Sequence, residues 1–301
     1  MSSSRTVAVI GLGSMGIGMA RSLIRAGHVV RGCDLDRAAL DRLALAGGTA
    51  CDTPAAAAKG AEIVVVVVVN AAQTRAVLFG PNGAVAAIKP GGVIISSATM
   101  SPAEAQELSA RAGEHGVLYL DAPISGGSVK ADDGNLTVMA SGAPEAFNAA
   151  QQVLDAIAQT VYPLGDDVGI GSSFKIVNQL LAGVHIAAAC EAITFASRLG
   201  LDLSKVFEVI SQSAGNSWMF ENRIPHVLAG DYTPHSAVAI FTKDLGIVSE
   251  LGRKERFPLP VASAALQLFL MTEAAGMGQD DDSSVARLFS RVAGLDLPEK
   301  G

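Results

Sequence analysis

Two residues could carry proton chemistry by their type and spacing. Lys175 and Asn178 open a helical pattern that runs from Gly171 to Gly200. Ser172 and Ser173 suit its N-cap, Gly200 suits its stop, and the alanine-rich stretch between holds no proline. At about 100° per residue, Asn178, Ala182, Ile186, Ala189 and Ile193 fall within about 60° of Lys175. That face is apolar except in its first turn, where an amine and an amide sit at i, i+3. A neutral amine can take the proton of a hydroxyl, and an amide one turn on can hold that hydroxyl. A lysine at a helix end also has an ordinary use, its stem on apolar surface and its ammonium in water.

What precedes the pair decides between these uses. Val7 to Ile10 reads as a short buried strand, followed at once by Gly11-Leu12-Gly13-Ser14-Met15-Gly16 and a helical pattern to Ala26. A second strand, Val29 to Cys33, closes on Asp34. This is G-x-G-x-x-G in its strand–turn–helix setting, with an acidic residue about 20 positions on. Gly11 permits the tight turn, Gly13 lets a pyrophosphate approach the backbone, and Gly16 lets helix and strand pack closely. The helix N-terminus then faces the phosphate charge. A carboxylate at Asp34 accepts bonds from the adenosine ribose hydroxyls and repels a 2′-phosphate, so NAD is the expected cofactor. Arg37 offsets that repulsion in part and leaves NADP open. A capping role for Asp34 at the following helix, 37–45, is the competing use.

The elements that must position these residues continue the alternation. Strands are expected at Glu62–Val69, Val93–Ser97, Leu118–Asp121, Leu136–Ala140 and Thr160–Leu164. Ligands of an open parallel sheet sit outside the carboxyl ends of its strands. Val69 and Asn70 end one strand and Thr99 follows another, which makes them the expected cofactor-side residues, although Asn70 and Thr99 suit turns and caps equally well. Ser125, Gly126 and Gly127 follow a third, and their hydroxyl and close backbone N–H groups suit a carboxylate or hydroxyl ligand. After Asp166 only helical patterns remain: 203–213, 218–228, 235–256, 261–273 and one beyond Asp282. The expected fold class is therefore α/β: an N-terminal Rossmann dinucleotide-binding domain, 1–166, then an all-α C-terminal domain, 167–301, joined through the long helix.

Composition narrows the function classes. Half of the 301 residues are hydrophobic, 17% are charged, and mean hydropathy is +0.38. A net charge of −7 without a basic patch argues against nucleic acid. The longest apolar run, Ile63 to Val69, is too short to span a bilayer, and the polar start, 1–6, carries no signal-peptide core, so no membrane partner and a cytoplasmic location are expected. Cys33, Cys51 and Cys190 fit neither a zinc pattern nor a disulfide framework, and no metal site is expected.

Four motifs in order resemble the β-hydroxyacid dehydrogenases, whose members include 3-hydroxyisobutyrate dehydrogenase and tartronate semialdehyde reductase. They are Gly11-Leu12-Gly13-Ser14-Met15-Gly16, Asp121-Ala122-Pro123-Ile124-Ser125-Gly126-Gly127, Gly169-x-Gly171-x-x-x-Lys175-x-x-Asn178, and Lys243-Asp244-Leu245-Gly246. The resemblance spans the chain. It implies that Lys175 is the catalytic acid/base, that Asn178 and Ser125 hold substrate, and that Thr99 and Lys243 lie at the nicotinamide end. It also implies a small hydroxy acid as substrate and a homodimer or homotetramer. Two positions depart from many members: Ser96, where Asp is common, and Gln179, where a second Asn is common. Within the family, Val177 to His185 and Gly215 to Phe220 look most like the L-threonate dehydrogenase subgroup; tartronate semialdehyde, 3-hydroxyisobutyrate and succinic semialdehyde are the sibling substrates. A non-catalytic dinucleotide-binding module, the remote alternative, would lack Lys175, Asn178 and Lys243. A free lysine titrates near about 10.4, so a working base needs that value lowered, and burial with neighbouring positive charge acts in that direction.

Overall fold

The computed structural model describes residues 4–300, which pack into two compact units dividing after Lys175. In the first, β1 (Thr6–Ile10), α1 (Ser14–Arg25), β2 (Val29–Cys33), α2 (Arg37–Leu45), β3 (Thr49–Ala50), α3 (Pro54–Ala58), β4 (Ile63–Val66), α4 (Ala71–Phe79), β5 (Val93–Ser96), α5 (Pro102–Gly113) and β6 (Leu118–Asp121) alternate. Their strands form one parallel sheet in the order β3-β2-β1-β4-β5-β6. Helices cover both faces, which is why the central strands read as unbroken apolar runs. Val7 and Val9 enter one core, while Ala8 and Ile10 enter the other. All six strands run the same way, so the segments after β1, β4, β5 and β6 emerge on one edge. The chain reverses its direction of travel between β1 and β4, where Gly11 lies against Val67.

The next elements leave the main sheet. β7 (Ile124–Ser125), α6 (Gly127–Asp133), β8 (Leu136–Ala140), α7 (Pro144–Ile157) and β9 (Ala158–Pro163) build a separate sheet, with β7 antiparallel and β9 parallel to β8. The strands at 136–140 and 158–163 thus turn away from the main sheet. The strand expected through Val69 ends at Val66, because beyond it the chain bends to start α4.

α8 (Ile170–Arg198) runs unbroken through the division. The second unit adds α9 (Leu203–Ser211), α10 (Trp218–Ala229), α11 (Val238–Lys254), α12 (Pro260–Thr272) and α13 (Val285–Ala293). Its core joins Ile186, Cys190 and Ile193 of α8 to Phe220, Phe241, Leu245 and Phe269. The face expected to be buried is buried: Ala182, Ile186, Ala189 and Ile193 are all within the core. By length and composition alone α8 is apolar enough to cross a membrane, at mean hydropathy 1.6, with half of that window buried. It holds no long unbroken apolar run, because Lys175, Asn178, Gln179 and His185 interrupt it without lowering the average enough.

Candidate functional site

The glycine loop is shaped by what surrounds each glycine. Gly11 has φ +91°, and a Cβ there would stand 2.5 Å from the Val67 carbonyl oxygen. A Cβ on Gly16 would lie inside contact distance of the Gly11 carbonyl, so α1 can pack this close only with glycine. A Cβ on Gly13 would meet nothing within 4 Å. Gly13 also begins α1, with no side-chain cap and no acidic residue in the first turn, so the first amides of Ser14, Met15 and Gly16 are left to face an anion. The cradle therefore fits a dinucleotide pyrophosphate. Asp34 is tied to this loop: its Oδ2 accepts from Leu12 N at 2.5 Å and its Oδ1 from Asp36 N at 2.8 Å. The cap of α2 is Asp36, which accepts from Ala38 N, so the capping alternative for Asp34 does not hold. Arg37 turns to Asp41 at 3.3 Å on the exposed surface.

Val69 and Asn70 follow β4. Asn70 caps α4 through its side-chain oxygen, which accepts from Gln73 N, while Gln73 Oε1 accepts from Val69 N. Thr99 lies half-buried in the turn after β5, ahead of the Ser101–Glu104 capping box that starts α5. Ser125 ends β7, and Gly126 and Gly127 turn the chain into α6 with φ of +140° and +80°.

Lys175 is held by a device that local sequence patterns do not reveal. The carboxylate of Asp121, at the end of β6, accepts from Gly169 N (3.0 Å), Ser172 N (2.8 Å) and Ser172 Oγ (2.8 Å). It takes the place of the expected Ser172 or Ser173 N-cap, with Ser172 as donor. Ser141 Oγ accepts from Gly171 N at 2.9 Å, and a Cβ on Gly171 would lie 2.5 Å from the Met139 carbonyl oxygen. The Gly169-x-Gly171 spacing thus lets the start of α8 press onto the backbone of the first unit. Burial pushes the Asp121 carboxyl above its usual range, against the pull of its Ser172 and Gly169 donors. One turn beyond that anchor Lys175 is buried, at 7% exposure. The sequence shows only an aspartate opening the Ser125 motif at the end of a strand, which fits a ligand as well as a cap.

The second unit brings together a polar row. Asn178 Nδ2 donates to Gln179 Oε1 at 2.9 Å, and Gln179 Nε2 donates to Asp244 Oδ2. Lys243 Nζ lies 2.7 Å from Asp244 Oδ1. Glycine again permits the approach: a Cβ on Gly183 would stand 2.9 Å from Leu245 Cδ1, so α11 seats closely on α8. Of the residues singled out by sequence, Asn178 and Lys243 therefore share one network, and Gln179 and Asp244 join them.

Residues 6–165 match the family model of the NAD binding domain of 6-phosphogluconate dehydrogenase, and 169–289 that of the NAD-binding domain of NADP-dependent 3-hydroxyisobutyrate dehydrogenase. The chain is 54% identical to an L-threonate dehydrogenase of Cupriavidus necator over 99% of both chains. It is 48% identical to an L-threonate dehydrogenase of Escherichia coli K12, over 97% of this chain and 96% of the relative. A crystal structure of a Salmonella typhimurium protein described as 3-hydroxyisobutyrate dehydrogenase superposes with TM-score 0.90 at 49% identity, covering 94% of this chain and 99% of that one. With its glycine cradle, its anchored lysine and these relatives, the chain belongs to the 3-hydroxyisobutyrate dehydrogenase family, and it is an NAD(P)-dependent dehydrogenase of small hydroxy acids.

Proposed function

We propose that the protein is an L-threonate dehydrogenase that prefers NAD. The observation that carries the catalytic part is a buried lysine on a helix start fixed by Asp121, with Asn178 one turn on. The substrate rests on the names of its relatives, at 54% and 48% identity. When bound, nicotinamide supplies the hydride acceptor. Neutral Lys175 takes the hydroxyl proton of the substrate as the hydride leaves the carbon bearing that hydroxyl; in the reverse direction its ammonium returns it. Asn178 holds the reacting hydroxyl, and Ser125, Gly126 and Gly127 hold the acid end. Gly11, Leu12, Gly13, Ser14, Met15 and Gly16 cradle the pyrophosphate and Asp34 takes the ribose. Val69, Asn70, Thr99 and Lys243 line the rest of the cofactor.

3-Hydroxyisobutyrate is the second reading, favoured by the description of the Salmonella relative. A 340 nm assay with L-threonate, 3-hydroxyisobutyrate and tartronate semialdehyde, each with NAD(H) and NADP(H), separates them. L-Threonate with NAD should give the highest kcat/KM; a tenfold advantage for another acid would overturn the substrate reading.

The assembly we propose is a cytoplasmic homodimer or homotetramer. In its support, Val177, Leu181 and Phe195 recur along α8 at helical spacing, Leu199 follows directly after its end, and all four are exposed. Sedimentation showing monomer alone at micromolar concentration would count against it.

A further inference from the structure

The row Asn178–Gln179–Asp244 has a direction, and the direction is set at its far end. A carboxylate with no proton only accepts hydrogen bonds. Asp244, 2% exposed and 2.7 Å from the Lys243 ammonium, therefore requires the amide nitrogen of Gln179 and not its oxygen. With its nitrogen committed there, Gln179 turns its Oε1 toward Asn178 and accepts from Asn178 Nδ2 at 2.9 Å. Asn178 in turn has its Nδ2 engaged and its Oδ1 as the acceptor that it can offer. An amide left to itself could present either end; two amides in series on a buried carboxylate present one.

We infer that Asp244 is a positioning residue: acting through Gln179, it fixes the Asn178 side chain with its carbonyl oxygen leading, as an acceptor for the hydroxyl of the substrate. The inference rests on the role proposed above for Asn178. Chemically, an acceptor at that point takes the hydrogen bond donated by the hydroxyl of an alcohol, which the carbonyl oxygen of the ketone or aldehyde product has no hydrogen to make. The row thus favours holding the alcohol over holding the oxidised product. It also accounts for Gln179, since a side chain one methylene longer than asparagine spans from Asn178 to α11.

An isosteric exchange tests this. Asp244→Asn removes the carboxylate, so neither amide is oriented. Adding Gln179→Glu moves the carboxylate one link along the row, with the net charge of the native protein and no change in heavy-atom count. The relocated carboxylate would accept from Asn178 Nδ2 and from the new amide at position 244, and the Asn178 oxygen would lead again. Lys243 loses its carboxylate in both variants, so comparing them isolates the row. KM for the hydroxy acid should rise about tenfold in Asp244→Asn, the order expected for a charge-assisted bond, and should return to within about threefold of wild type in the double variant. The dissociation constant for NADH should be the same in the two. A double variant as impaired as Asp244→Asn would overturn the inference and leave Asp244 a partner of Lys243 only. Should Asp244→Asn not fold, Gln179→Leu cuts the same row with the Lys243–Asp244 pair intact; it too should raise KM about tenfold, and an unchanged KM would equally overturn it. The assay is run with whichever hydroxy acid the wild type oxidises fastest, so a wrong substrate assignment leaves the comparison intact.

Discussion

Lys175→Ala separates binding from chemistry. The partners proposed for the phosphates and ribose lie between Gly11 and Asp34, so the affinity for NAD should hold while kcat falls roughly 10²–10⁴-fold, the usual worth of a placed acid/base. Lys175→Arg should not rescue it, because a guanidinium stays charged. Near-normal turnover in Lys175→Ala would transfer the acid/base role elsewhere. Asp34 makes a second residue-scale test. Its carboxylate is pinned by Leu12 N and Asp36 N, and the nearest candidate to offset it, Arg37, is paired with Asp41. Asp34→Ala should narrow the preference for NAD over NADP, read as the ratio of kcat/KM values; a wild type that already favours NADP would refute the assignment.

At the scale of elements, the start of α8 is where chemistry depends on packing. Gly171→Ala places a methyl 2.5 Å from the Met139 carbonyl oxygen, a backbone atom that has no rotamer to escape to. The helix start must shift or the contact must strain, at a cost of about 1–3 kcal/mol in a denaturant titration. Because Lys175 lies one turn on, kcat should drop while the affinity for NAD is kept. The long helix, the glycine loop and the buried lysine face were legible in the sequence because each follows from local periodicity or from the steric needs of glycine. Asp121 was not legible as a cap. Its partners lie 48 and 51 positions away, and nothing local tells a capping carboxylate from a ligand. The second sheet was missed for a related reason. Its strands have ordinary strand patterns, and only the antiparallel pairing of the two-residue β7 with β8 shows that they leave the main sheet. Gln179 stands out in the sequence as a departure, but its partner on α11 is 65 positions away.

At the scale of the molecule, the second unit carries a charged interior that shapes its stability. Asp282, fully buried, receives Arg223 through Nε at 2.5 Å and Nη2 at 3.0 Å. Burial nonetheless pushes its carboxyl up from 3.8 to about 6. A raised carboxyl favours the folded state fully below its unfolded value, and that contribution is lost as pH rises through about 6. Neighbouring Asp281 works in the other direction and in a lower window. Burial opposes it, but bonds from His226, Ser283 and His235 N hold it down to about 2, so its contribution is lost as pH falls through about 2. Denaturation midpoints should therefore fall as pH rises from about 4 to about 6. Asp282→Asn should flatten that fall while lowering stability overall by about 3–5 kcal/mol, since Arg223 is left buried without its counter-charge. An unchanged pH profile in Asp282→Asn would remove Asp282 as the cause. The grip of Asp121 on α8 bears, finally, on which pieces of the chain can live alone. A fragment ending at 166 keeps every strand of both sheets yet strands a buried carboxylate without Gly169 and Ser172, and leaves Ser141 without Gly171. A fragment ending at 176 keeps all three partners. Autonomous folding should begin only with the first turn of α8, so the last residues needed by the nucleotide-binding unit are those that deliver the amine proposed as acid/base.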